Sequence, residues 1–255
     1  MNSVLDHPLL LFVLSFLTMW LATRFGASVI RRWIKLEPDA RKDFATILAT
    51  TLTLNGLIIG FTFSMAISRY EQRKNFEEAE ANAIGTEFVR ADLTAATDAA
   101  QIRALLRAYI DERLAFYAAR DAQSIEQIKT RTAQLQGQLW AAVLGSATAQ
   151  PTAIGGLVIA GMNDVLNSQG YTQGSWWNRI PTSAWMLMAA IAVISHALIG
   201  YGAQNTRSES ILMMVLPLVV SIAFLLIADI DSPRSGIIRV TPRDLTALAE
   251  SLRER

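Results

Sequence analysis

No cysteine occurs anywhere in the 255 residues of this chain. That absence excludes disulfides, thiolate metal sites and cysteine nucleophiles, and it leaves the redox compartment unreadable. Histidine is nearly missing as well. His7 and His196 lie far apart, with no partner at ligand spacing, which argues against a zinc site, and no metal is expected. An excess of either charge is also lacking: 23 Lys and Arg stand against 22 Asp and Glu, a formal net charge of +1. Such a chain has no field suited to nucleic acid, so none is expected as a partner. There is no phosphate-cradling glycine loop, no His-Glu-x-x-His and no Ser/His/Asp set at supportive spacing. Neither an enzyme nor a cofactor is therefore expected. Period-two alternation, internal repeats and low-complexity tracts are all missing, which points to an all-α fold.

What the chain does have is unevenly placed apolarity. Hydrophobic residues make up 52% and charged residues 18%, and long stretches carry almost no charge. Four stretches reach the ~20 residues that a helix needs to cross the bilayer core. The first runs from about Pro8 to Ile30. It is read as a retained helix and not a signal peptide, because Asp6 precedes it while Arg31, Arg32 and Lys35 follow. The second runs from about Phe44 to Ile67. The third runs from Pro181 to about Ala203, entered through Trp176 and Trp177. The fourth runs from about Ser208 to Ala228, with Pro217 expected to kink it. The short turn at Gly202-Ala203-Gln204-Asn205 makes the last two an antiparallel pair. The expected organisation is thus an all-α membrane protein with four transmembrane helices and a helical soluble insert between the second and third. Its parts are 1–67 for helices one and two, 68–180 for the soluble domain, 181–228 for helices three and four, and 229–255 for the tail.

In the insert, the second helix is expected to continue past the membrane, since nothing interrupts it before Gly85. A helix from Asp98 to Arg120 follows, with Asp98 and Gln101 at capping-box spacing and Ile102, Leu105, Leu106, Tyr109, Ile110, Leu114 and Tyr117 on one stripe. Another starts at Ser124 and buries Ile125, Ile128, Leu135, Leu139, Val143 and Leu144. A further one follows Pro151, with Ile154, Leu157, Val158, Val165 and Leu166 inward. Thr241-Pro242 opens a final N-capped helix.

The second span carries the mechanism, because polar groups in a bilayer are costly unless they meet a partner or water. At helical spacing Thr46, Thr50, Thr53, Leu57, Phe61, Ser64 and Ser68 share one stripe. Several copies around an axis would form a wet path lined by the hydroxyls of Thr46, Thr50, Thr53, Ser64 and Ser68. Leu57 and Phe61 would make an apolar neck able to gate by dewetting. The alternative is plain packing: Ser and Thr bonded to their own i−4 carbonyls, with Gly56 and Gly60 serving close helix contact. Just beyond the span, Arg69, Glu71, Arg73 and Glu77 are candidate vestibule residues. Glu71, Glu77, Glu78 and Glu80 are either an acidic ring or the solvated side of a helix paired with Arg73 and Lys74. His196 is expected to make an interhelical hydrogen bond, and Asn55 a packing contact.

The run from Gly56 to Tyr70, Gly-Leu-Ile-Ile-Gly-Phe-Thr-Phe-Ser-Met-Ala-Ile-Ser-Arg-Tyr, resembles the pore-lining second helix of bestrophin anion channels. In that family three bulky residues four apart form the neck; here Leu57 and Phe61 match two, and Thr53 stands at the third. Phe61-Thr62-Phe63-Ser64, Glu80-Ala81-Asn82-Ala83-Ile84-Gly85-Thr86, Asp229-Ile230-Asp231-Ser232-Pro233 and Val240-Thr241-Pro242 are similar to the bestrophin-like family, a closer resemblance that covers most of the chain. These resemblances imply a homo-oligomeric ion channel, a pentamer with anion selectivity, multi-pass in a cell inner membrane, with both termini and the insert in the cytoplasm. Membrane lipid, inorganic ions and further copies of the chain are the partners implied. Bestrophins carry an acidic calcium clasp after the fourth helix, where this chain has only Asp229 and Asp231. The positive-inside count ties at seven basic residues on each side, Lys35 and Arg207 among them. A cation channel with an acidic vestibule and a non-conducting scaffold or sensor stay open as rival readings. A secondary transporter lacks the paired broken helices it would need.

Overall fold

The computed structural model describes residues 4–34, 37, 39–149, 151–203 and 212–254, and no strand occurs among them. After a 3-10 turn at Val4–Asp6, helix α1 spans Pro8–Trp33, passing through one π-type turn at Gly26–Ile30. Then come α2 (Arg41–Arg90), a 3-10 turn at Ala91–Leu93, α3 (Ala96–Ala118), α4 (Ala122–Ala149) and α5 (Ala153–Trp177). The chain ends with α6 (Thr182–Gly202), α7 (Leu212–Asp231) and α8 (Arg243–Arg253). Four helical segments are long and apolar enough to cross a membrane: those in α1, α2, the stretch Ala153–Gly202 that ends with α6, and α7. The expected helix start at Ser208, the turn residues Gln204 and Asn205, and the basic residues Lys35 and Arg207 lie outside the described residues.

Contacts divide the chain into two compact units, Met1–Arg69 with Arg179–Arg239, and Tyr70–Asn178 with Val240–Arg255. The tail expected as a single segment is split, its final helix counting with the second unit.

In the first unit the helices meet through small residues. A Cβ at Gly200 would strike the Thr23 carbonyl, and one at Gly26 would strike that of Ala197, so α1 and α6 cross at backbone contact. The Thr23 hydroxyl is turned back to the Met19 carbonyl at 3.0 Å and leaves the crossing unobstructed. On α7, Trp185 of α6 packs edge-on to Phe224 at 6.0 Å. Phe44, near the start of α2, packs against Tyr201 at 5.3 Å and fills the space that a side chain at Gly202 would need. The glycines expected to pack, Gly56 and Gly60, have nothing within 4 Å of where a Cβ would stand. Close contact is made by Gly26 and Gly200 instead. His196 is buried, and its Nδ1 lies 2.6 Å from the Ala192 carbonyl within α6.

The second unit has a continuous core drawn from α2, α3, α4, α5 and α8, with Ile84, Ile102, Leu106, Tyr109, Leu139, Met162, Val165 and Leu245 fully enclosed. Helix starts differ from the capping motifs. Helix α3 begins at Ala96, ahead of Asp98, with no side-chain cap bond. Helix α4 begins at Ala122, where Asp121 Oδ1 accepts the Ser124 amide at 2.7 Å. Helix α5 is capped by Thr152, whose Oγ1 accepts the Gly155 amide at 3.2 Å. Three residues expected inside, Leu144, Ile154 and Leu157, are exposed. Gly85 does not end α2, which runs on to Arg90; a Cβ there would sit 3.1 Å from Leu248 of α8, so the glycine admits the last helix.

Candidate functional site

Helix α2 is the least covered of the spans. In its most apolar 18-residue window 6% is buried, against 44% in α7. The bare side is the one the stripe occupies. Thr46, Thr50, Thr53, Leu57, Phe61, Ser64 and Ser68 are all exposed in the single chain, Leu57 at 50% and Phe61 at 65%. The buried residues of the span, Asn55, Thr62 and Ala66, stand about 180° away at about 100° per residue. Thus one face of the span packs against the rest of the chain while the hydroxyl-bearing face has no cover from it.

The three threonine hydroxyls on that face are not free rotors. Thr46 donates to the Lys42 carbonyl at 3.1 Å, Thr50 to Thr46 at 2.8 Å and Thr53 to Ala49 at 2.9 Å. Each proton is thereby held by the helix's own backbone, and what the oxygen presents outward is lone pairs.

The four vestibule candidates are not brought together on one surface. Glu71 is exposed and Arg69 half-buried, whereas Arg73 and Glu77 are buried at 1% exposure. Glu77 Oε1 accepts the Leu245 amide at 2.9 Å and so caps the N-terminus of α8, which has no cap of its own. Burial, opposed by this bond, raises the Glu77 carboxyl to about 7. At the other end of α8, Arg107 Nε donates to the Leu252 carbonyl at 2.8 Å. A solvated acidic face is likewise not what Glu80 makes. It is fully buried and paired with Arg113 through Nε, with Nη2 at 3.4 Å, and it accepts the Thr172 hydroxyl at 2.9 Å. Burial and the Glu80 charge push Tyr109 and Tyr117 up, so both phenols stay protonated beside the pair. This network was missed in the sequence, but it left a trace: Arg113 falls on the apolar stripe of Leu106, Tyr109 and Ile110, where a solvated residue has no place.

The two acidic residues after the fourth span bind backbone. Asp229 accepts the amides of Ile237 and Ile238 at 2.7 and 2.8 Å, in a turn where a side chain at Gly236 would collide with the Asp229 carbonyl. Asp231 accepts the Ile180 amide at 3.1 Å and Arg179 Nε at 3.4 Å, and Arg179 also pairs with Asp6. No cluster of three or more His, Asp or Glu suited to a metal occurs among the described residues.

These features define an all-helical integral membrane protein with one sparsely covered, hydroxyl-lined span. A profile described as the Bestrophin-like domain matches residues 9–245, and the chain belongs to the bestrophin-like family. Solved structures are similar over nearly the whole length. One variant of a bacterial bestrophin homologue from Klebsiella pneumoniae aligns with TM-score 0.66 at 12% identity, covering 95% of this chain and 96% of that one. A second variant aligns with TM-score 0.65 at 13% identity, over 100% and 97%. A structure of the homologue phased on zinc aligns with TM-score 0.61 at 13% identity, over 96% and 95%. At such identities the likeness establishes the fold. No curated protein matches the chain.

Proposed function

We propose that several copies of this chain assemble with the exposed faces of α2 turned toward a common axis and conduct ions along it. The observation that carries this reading is the opposition of faces on one helix: all seven stripe residues are uncovered, while Asn55, Thr62 and Ala66 behind them are packed. Leu57 and Phe61 form the neck, which sheds water when narrow and so resists ions. Thr46, Thr50, Thr53, Ser64 and Ser68 line the wetter reaches on both sides, and Arg69 and Glu71 stand at the insert's end. A single polar stripe cannot enclose a pore, so assembly is a requirement of the function; a pentamer is the number the family resemblance implies.

Anion selectivity is what the resemblance implies. A cation-selective second reading is favoured by two observations: the threonine protons are already donated to backbone carbonyls, and the exposed vestibule charge is Glu71. Reversal potentials under a salt gradient distinguish the two by sign. The test of conduction itself is planar-bilayer recording of purified protein. Leu57→Ala and Phe61→Ala, which widen the neck, are expected to raise conductance several-fold over the unmodified chain. Absence of current in all three preparations would sink the reading.

A further inference from the structure

The tail that follows α7 folds back beside the spans and leaves an open, mainly apolar cavity of about 430 Å³. Its walls are Pro8 and Leu9 from the first turn of α1, Leu225 and Leu226 from the last turns of α7, and Ile237 and Ile238 from the tail. All of these lie within the first unit. The two isoleucines are fixed in place. Asp229 accepts the amides of both, and Gly236 leaves room for the turn that brings them back. Ile237 is nevertheless 84% exposed and Leu9 70%, so apolar surface continues from the walls to the mouth.

The neighbouring surfaces decide what fills it. From Leu9 to Leu17 every exposed residue of α1 is aliphatic, and from Met214 to Leu226 every exposed residue of α7 is aliphatic or methionine. Such faces suit acyl chains, whereas α2 carries hydroxyls on its uncovered side. The cavity is continuous with these faces, since Leu9 and Leu226 belong to both. Leu226 lies about 4.5 Å before Asp229 along the helix axis, so the cavity reaches from the polar end of the span into its apolar part. Other occupants fit poorly. The Asp6 and Asp229 carboxylates that border the cavity are engaged, by Arg179 and by the two amides, so a cation meets no uncommitted carboxylate. Because those amides are taken, an added strand finds no donor at Ile237 or Ile238. Apolar cavities stay dry and take hydrocarbon: one of ~150 Å³ holds benzene. A space of about 430 Å³ admits a stretch of acyl chain.

We propose that this cavity binds an acyl chain of a bilayer lipid, with Ile237 and Ile238 as its outer wall at the edge of the hydrocarbon. The site lies within one unit and does not depend on whether the chain conducts.

The test uses the full chain reconstituted in phosphatidylcholine vesicles, a small fraction of whose lipid carries a photoactivatable diazirine in one acyl chain. After irradiation, adducts are mapped by mass spectrometry. They are expected on segments 6–9, 225–226 and 237–238, and also on the exposed apolar segment 13–17, which serves as the internal standard. Ile238→Asp puts a charge in the wall, so adducts on 6–9 should fall about tenfold relative to those on 13–17, because a carboxylate is costly beside hydrocarbon. Ile237→Asp, at a position with little packing to lose, should act in the same direction. The ratio is read within each sample, so differences in the amount of folded protein cancel. An unchanged ratio in both variants overturns the proposal. So does the absence of adducts on 237–238 in the unmodified chain, which would mean that a second copy, and not lipid, covers the cavity.

Discussion

Glu87 shows how much a single side chain can report. It is fully buried, its carboxyl lies against Gly161 and beside Arg90, and neither oxygen has a hydrogen-bond partner among the described residues. Burial raises this carboxyl to about 8, with the Asp164 charge adding to the rise and Arg90 opposing it. Because the folded value stands above the ordinary 4.5, folded and unfolded chains bind the proton alike below about 4.5. Above that the unfolded chain releases it first, and stability falls until the pH passes about 8. The unmodified protein is therefore expected to lose on the order of a few kcal/mol between mildly acidic and alkaline pH. Glu87→Gln should flatten that decline. Glu77, raised to about 7, contributes in the same direction, so the measurement is best made as thermal midpoints across pH in the Glu77→Gln background. Equal slopes with Glu87 present or replaced would contradict this account.

At the scale of elements, the helices of the first unit divide into those that meet through glycine and one that carries glycine without a neighbour. Gly26 and Gly200 let α1 and α6 touch backbone to backbone, while Gly56 and Gly60 on α2 face open space. The same substitution should therefore act oppositely at the two places. Gly200→Ala is expected to cost about 1–3 kcal/mol, because a packed crossing must open to admit a methyl group. Gly56→Ala should leave the isolated subunit unharmed, or steady α2 slightly, as alanine does in a helix. Unfolding midpoints of detergent-dispersed subunits check the pair. Helix α8 makes the complementary point. Its lack of an intrinsic cap is offset by Glu77 at one end and Arg107 at the other, both from other helices.

For the whole molecule the pressing matter is what covers the bare face of α2, and a chain without cysteine offers a clean background for the answer. If copies turn Phe61 toward one axis, Phe61→Cys should yield covalently linked subunits with a short thiol crosslinker, while a cysteine at buried Ala66 should not. Only single subunits in both cases would mean that lipid, and not a second copy, meets that face. Much of this protein was legible without coordinates. Runs of apolar residues long enough for a bilayer announce the spans, and 3.6-residue periodicity announces the helices and most of the insert's core, because both signals are local along the chain. The stripe of Thr46 to Ser68 was legible for the same reason. Its exposure was not, since the outward side of a membrane helix is set by what packs behind it, here at Asn55, Thr62 and Ala66. Nor could sequence place Glu80 on Arg113, Glu77 on the α8 amide or Asp229 on the turn, partners 33, 168 and 8 residues away. Composition and periodicity by themselves determined that this is an all-helical membrane protein. Only the tertiary fold decided which charges are buried and which face is left uncovered, because burial belongs to neighbours that the chain brings together from a distance.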